Sequence, residues 1–447
     1  MKLSYLLWGS LLASASAFQI QSGFRPVPRN TVAGPLAAAV DVGENTGRDI
    51  GGMDDWANQC GVQRAGGFQY TSEDGLDWSV VTTEDLPASN PVLYVPSQMI
   101  LSSVQSRQEY PAVEPAVDML NRLGAGDQIQ QFCLFVKVLM EYQNGDQSPW
   151  YPWMNSLPRL YYNAVSMTDF CYECLPPLVF SLARKEKVRY DNYCDALKKV
   201  DCLSDQIKND PRVTKWAFNV VQTRSVGPDG DKRIIPVADM FNHGTETEVD
   251  MNFDEEGNCN VYTTRDVPAG SPLRISYGDP TNPSHLFATY GFLDETSPAT
   301  FCKIMTIKPN QELLDIGYDF SRMLFYKDTG DVSQEVWDVL LYQALASNRP
   351  VQEAFYQAHM NGDADTKAAI HQQYFFQTSS ALKKHVDSFL KQLDELSAKG
   401  DGKDVNEHPR LPLILRHNEF VKQTFLRVKA NIDPMVAQAA PEPAYAQ

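Results

Sequence analysis

The hydrophobic periodicity of this chain changes three times, and any fold has to accommodate every change. From Phe68 to Ser103, short β-rich runs at Ser79–Thr83 and Val92–Val95 alternate with turn residues, as small antiparallel sheets do. Between residues 105 and 220 the pattern becomes helical, with Ile129, Phe132, Cys133, Phe135, Val136, Leu139 and Met140 at amphipathic spacing. Strands return at Arg233–Ala238, Val249–Phe253 and Asn260–Thr264, the last two joined by D-E-E-G-N, with Gly257 free to take a positive φ. After residue 300 the chain is helical again, with Val336, Val339, Leu340 and Tyr342 marking one helix and Ile370 through Leu393 a long one. A strand-rich core interrupted by helices and followed by a helical block belongs to the α+β class.

The stretch richest in chemistry runs from Arg233 to Phe292. The apolar residues Ile234, Ile235, Val237 and Ala238 lead directly into Asp239, Asn242 and His243, so polar groups stand where a buried element ends. Tyr277, in I-S-Y-G, and Tyr290-Gly291-Phe292 follow in a second apolar context. An Asn, a His and two Tyr without a matching cluster of acids suit a site that positions a cofactor and a nucleophile, not a metal cage or a carboxylate dyad.

This segment resembles the C-terminal half of a SET domain, in the branch of the Rubisco large-subunit lysine methyltransferase. Asn90–Pro96 (N-P-V-L-Y-V-P) resembles the strand before that family's early V-P dipeptide. Phe132–Pro158 resembles its inserted helix, which ends in S-x-W-x-x-Y/W-x-x-x-L-P. Ala217–Arg224 resembles the A-x-x-x-V-x-S/T-R run ahead of the N-H motif. The motifs keep the family's order across residues 65–300.

The resemblance implies a SET-type core of small antiparallel sheets over residues 50–300, with a helical insertion at about 105–220, and an all-α substrate-binding domain over 301–432. It implies S-adenosyl-L-methionine as cofactor and a protein lysine as acceptor. Tyr277 matches the tyrosine beside the transferring methyl. Asn242 and His243 match the pair that holds the cofactor, Arg224 the arginine on its carboxylate, and Tyr290 and Phe292 the aromatic pair at the lysine channel and the adenine. Phe292 is accordingly assigned to the cofactor, and Tyr290 and Asp239 to the substrate. Such a site has no need of a metal. One element departs from the family pattern: where it has G-x-G near the start of the domain, this chain has Asp77-Trp78-Ser79 after Gly75, and side chains there oppose close backbone approach to a cofactor. A histidine methyltransferase, like the relative that modifies actin, and a catalytically silent SET-fold module binding a partner through residues 300–430 are the competing readings.

The ends and the charge bear on compartment and partner. Lys2, a short apolar run and Ala15-Ser16-Ala17 read as a signal peptide over residues 1–17. Phe18 to Val40 carries Arg25 and Arg29 and no acid, which is transit-peptide composition, so residues 18–45 read as a transit-like segment and linker. Together they resemble the bipartite presequence of complex plastids, with plain secretion as the alternative. Residues 433–447 read as a disordered tail, and the mature chain as a monomer without a membrane span. A net charge of −17 argues against a nucleic-acid surface. Cys171 and Cys174 form a C-x-x-C with no second pair, which is a poor zinc site and fits buried thiols one helical turn apart.

Overall fold

The structure, a computed structural model, describes residues 39–227 and 230–439. The expected signal peptide, the start of the transit-like segment and residues 440–447 lie outside the described residues.

The first sheet joins strands from both sides of the helical block. Pro91–Val95 lies between Gln63–Arg64 and Cys259–Thr263, and Val249–Phe253 completes a four-stranded antiparallel sheet. The hairpin between the last two turns through Gly257 at φ 80°. Leu101–Ser102 pairs antiparallel with Arg233–Ile234, so the chain enters and leaves the insertion through one short ladder. The expected strand Arg233–Ala238 stops after Ile234, because Pro236 has no N–H to continue the ladder. Val237 then takes a φ of 75°, rare for a β-branched residue, and a 3-10 turn at Ala238–Met240 follows. Beyond it, Asn242–His243 pairs in parallel with Arg274–Ile275.

The helix Ile129–Asn144 is enclosed on nearly every side: Phe132 to Glu141 are all buried, so it is a core helix and not the amphipathic one its spacing suggested. The charges within this run are compensated. Lys137 Nζ lies 3.0 Å from Glu141 and 2.6 Å from Glu109, over the Trp150 ring at 4.5 Å. The helix Pro211–Arg224 starts on an Asp210 cap, whose carboxylate accepts from the N–H of Arg212 at 2.9 Å.

A second apolar core forms beyond residue 300, around Val336, Val339, Phe355, Val386, Val421 and Phe425. The long helix expected over Ile370–Leu393 is two helices, Ala364–Gln373 and Phe375–Ala398, divided at Tyr374 (φ −106°, ψ 13°). Leu411–Ala439 packs along the second of these. Residues 433–439, expected in the tail, are therefore the end of that helix. A buried relay spans the seam with the first core: Lys303 Nζ donates to Ser284 Oγ at 2.8 Å, and that oxygen is 3.2 Å from His417 Nε2. Cys171 and Cys174 are buried among Val179, Phe287 and Ile414, as core thiols.

The N-terminal segment differs from expectation. Val40 is buried, the Asp41 carbonyl accepts from Arg159 Nε at 2.7 Å, and Glu44 pairs with Arg410 at 2.7 Å. Residues 40–45 are thus part of the folded body and not linker, because buried guanidinium donors bind their backbone and acid.

Candidate functional site

The polar turn after Val237 is fixed from two sides. Asp239 Oδ2 accepts from the Trp153 indole N–H at 3.0 Å and lies 3.1 Å from Arg224 Nη1, which also donates to the Asp239 carbonyl at 2.6 Å. Both side chains are nearly inaccessible, at 11% for Arg224 and 1% for Asp239. Trp153 comes from the insertion and Arg224 from the end of its last helix, so the helical block anchors a turn of the strand core.

His243 is oriented by its neighbours. The Tyr277 N–H donates to His243 Nδ1 at 3.1 Å, which leaves the ring proton on Nε2, 3.4 Å from Asp294 Oδ2. Burial pulls the imidazole pKa below its ordinary value against the pull of Asp294, so the ring is neutral near pH 7. The Tyr277 hydroxyl donates to the Phe241 carbonyl at 2.7 Å, and the Tyr290 hydroxyl to the Tyr277 carbonyl at 3.3 Å. Burial raises both phenols, Tyr290 to about 12 and Tyr277 further, so neither ionises at physiological pH. The rings of Tyr277 and Tyr290 lie 4.9 Å apart, and Phe292 packs 5.6 Å from the His243 ring. Gly291 can only be glycine in this turn: its φ is 82°, and a Cβ would meet Asn163 N at 2.3 Å.

Two cavities meet here. One, of about 390 Å³, is lined by Asn242, His243, Phe292, Trp78 and Arg48. The other, of about 420 Å³, is lined by Ile235, Phe241, Met251 and Ile275. Thr223, Arg224, Asp239, Tyr277 and Tyr290 line both. All seven residues singled out from the sequence therefore surround one joined space, with Asn242, His243 and Phe292 on the first side and the other four at the junction. Among the described residues, four buried polar atoms in its walls have no hydrogen-bond partner: Arg224 Nε, Asp239 Oδ1, His243 Nε2 and the Tyr161 hydroxyl. Unsatisfied groups concentrated in one cavity fit a polar ligand.

Arg48 was not singled out from the sequence. Its Nη1 donates to the Leu76 carbonyl at 2.8 Å and its Nε to the Ser156 carbonyl at 2.7 Å, with Met240 Sδ 3.6 Å from Nη2. None of these partners carries charge, and burial together with nearby Arg224 lowers its pKa to about 9. Trp153 and Asp294 were also missed. Trp153 lay within a recognised motif and needed only a role, whereas Arg48 stood in apparent linker. In the departed glycine element, Trp78 turns its indole N–H back to the Gly75 carbonyl at 3.1 Å, and its own carbonyl lies 3.4 Å from the Asn242 amide.

An insertion-split β core, with the Asn-His strand and the Tyr277 that follows its partner strand meeting at a two-sided cavity, is SET architecture. The chain carries a SET domain: residues 77–278 match that family's model. Across nearly its whole length the fold is that of the Rubisco LSMT branch. It is similar to the structure of Rubisco LSMT bound to AdoMet, at 16% identity and a TM-score of 0.60, covering 88% of this chain and 93% of that one. It is similar also to Rubisco LSMT bound to sinefungin and monomethyllysine, at 15% identity and a TM-score of 0.62, covering 87% and 92%. The SET domain of LSMT bound to lysine and AdoHcy matches at 14% identity and a TM-score of 0.61, covering 87% and 92%. The comparison with curated proteins gave no match. Among the described residues there is no group of His, Cys, Asp and Glu that could hold a metal ion, and no helix is long and apolar enough to cross a membrane.

Proposed function

We propose that this protein is an S-adenosyl-L-methionine-dependent protein-lysine N-methyltransferase acting on a non-histone plastid protein. One observation carries the reading: the two cavities that meet at Tyr277 and Tyr290. The cavity with Arg48, Asn242, His243 and Phe292 takes the cofactor, and the one with Ile235, Phe241, Met251 and Ile275 takes the acceptor side chain. The related structures bound to AdoMet and to lysine with AdoHcy support that division.

When bound, S-adenosylmethionine supplies an electrophilic methyl group. The chain's own residues do the rest. Arg224, expected on the cofactor carboxylate, is held by Asp239, and Arg48, which has no ion pair with a described acid, offers the carboxylate-binding fork instead. Asn242 and the neutral His243 fix the cofactor-side wall. Ile235, Met251 and Ile275 exclude water from the acceptor and disfavour its ammonium form, whose free pKa is about 10.4. Tyr277 and Tyr290, held protonated, align the uncharged amine without competing as nucleophiles. The helical C-terminal domain serves as the docking surface for the protein substrate.

The presequence composition of residues 1–39 supports a plastid address. Fusing that segment to a fluorescent protein tests it, and export to the medium would refute it. A second reading, a silent SET-fold binding module, is favoured by Asp77-Trp78-Ser79 alone. Calorimetric titration with S-adenosylmethionine decides between them: a folded protein that takes up none is not the enzyme. If it binds, peptide mapping of a plastid extract after incubation should find new methyl-lysine, whereas methyl-histidine would replace the acceptor assigned here.

A further inference from the structure

A third cavity, of about 310 Å³, lies between the N-terminal segment and the helix Pro211–Arg224, with Tyr161 forming a wall of both this cavity and the cofactor-side one. Its size is at the lower end for small-molecule sites, about 300–1,000 Å³. Trp216 supplies a flat apolar wall. Its indole N–H already donates to the Pro158 carbonyl at 3.1 Å, so the ring offers the cavity only its π surface.

The charges around this cavity do not balance. Lys215 is half-buried and has neither hydrogen bond nor ion pair with any described residue. Burial lowers its pKa, followed by the like charge of Arg410, with Glu44 opposing. Glu44, however, is already held by both terminal nitrogens of Arg410, at 2.7 and 3.4 Å. Arg159, 5% exposed, directs its donors to neutral oxygens: the carbonyls of Asp41, Met154, Leu157 and Asn155 and the Asn155 amide oxygen. Arg212 pairs with Asp210 at 3.2 Å, and the Asp41 carboxylate accepts from the Gly43 N–H at 2.9 Å. Against the acids Asp41, Glu44 and Asp210 stand the cations Arg159, Arg212, Arg410 and Lys215, so one positive charge remains over, in a chain whose net charge is −17. A half-buried cation without a partner is costly unless an anion meets it.

We infer that this cavity is a second small-molecule site, which takes a monoanion with a flat apolar body, an aromatic carboxylate by class, with its ring against Trp216 and its charge on Lys215. The inference does not depend on methyl transfer, and its test reads binding alone. Calorimetric titration of the full chain with 2-naphthoate should show saturable one-site binding that is undiminished by prior addition of sinefungin. The neutral isostere 2-naphthol should bind at least tenfold more weakly, and Lys215→Met should weaken naphthoate at least tenfold without changing the melting profile. Lys215→Gln serves if the Met variant does not fold. Absence of naphthoate binding, equal affinity for naphthol, unchanged affinity in the Lys215 variants, or displacement by sinefungin would each overturn the assignment.

Discussion

The indole N–H of Trp153 and the guanidinium of Arg224 meet on the same oxygen of Asp239, at 3.0 and 3.1 Å. An aromatic residue of the insertion thus holds the acid at the junction of the two cavities. Trp153→Phe removes one donor from a buried carboxylate, at a cost of about 1–3 kcal/mol. Urea denaturation should show that loss, and turnover should fall by about tenfold to a hundredfold as the junction loosens. Unchanged turnover would mean that Asp239 needs no such support.

Among the described residues Arg48 hydrogen-bonds only to uncharged groups, and its position in the cofactor-side cavity suits a carboxylate partner. Loss of a charge-assisted hydrogen bond of about 1.5–3 kcal/mol corresponds to about 10- to 150-fold in affinity. Arg48→Met should raise the dissociation constant for S-adenosylmethionine by that factor in a calorimetric titration. A variant that binds as tightly as the parent would remove Arg48 from the cofactor site.

Tyr277→Phe deletes a buried hydroxyl whose hydrogen bond reaches the Phe241 carbonyl. Fold and cofactor binding should survive nearly intact, while turnover drops about a hundredfold or more, as when an oriented donor is lost from a reaction centre. Single-turnover methylation measures it, and a parental rate would place Tyr277 outside the mechanism.

Lys303 is fully buried, with a φ of 60°, and among the described residues its ammonium hydrogen-bonds only to Ser284. Burial lowers its pKa to about 7, with Cys302 opposing, and adjacent His417 is lowered to about 3, again chiefly by burial. The unfolded lysine titrates near 10.4, so between pH 7 and that value the unfolded chain binds a proton that the native chain lacks. Stability must therefore rise with pH across this window, by up to about 1.4 kcal/mol per pH unit from this group, and the penalty is fully present below pH 7. Melting curves from pH 6.5 to 9.5 should rise for the parent and be flatter for Lys303→Met. Parallel curves would show that Lys303 keeps an ordinary pKa.

Much of the architecture could be read from local pattern. The hairpin around Gly257 has the expected strand Val249–Phe253, because alternation and turn chemistry act within a few residues. Boundaries set by long-range contact could not be read in this way. The enclosure of Ile129–Asn144 depends on neighbours far along the chain, whereas the end of the strand at Ile234 was legible in Pro236, a local signal that the apolar run masked. The same contrast holds at the site. Asn242, His243 and Tyr277 stand in compact motifs, whereas Arg48 acquires meaning only because Ser156 and Leu76 come to meet it, and Asp294 only because it faces His243.

The anchoring of the segment from Val40 to Arg48 sets a limit on maturation. A processing peptidase that cut beyond Asp41 would strip the carbonyl acceptor from Arg159, and one that cut beyond Arg48 would also remove a wall of the cofactor-side cavity. If the chain is imported and processed, cleavage upstream of Val40 would leave these contacts whole, and the position of the mature N-terminus would bear on ligand affinity.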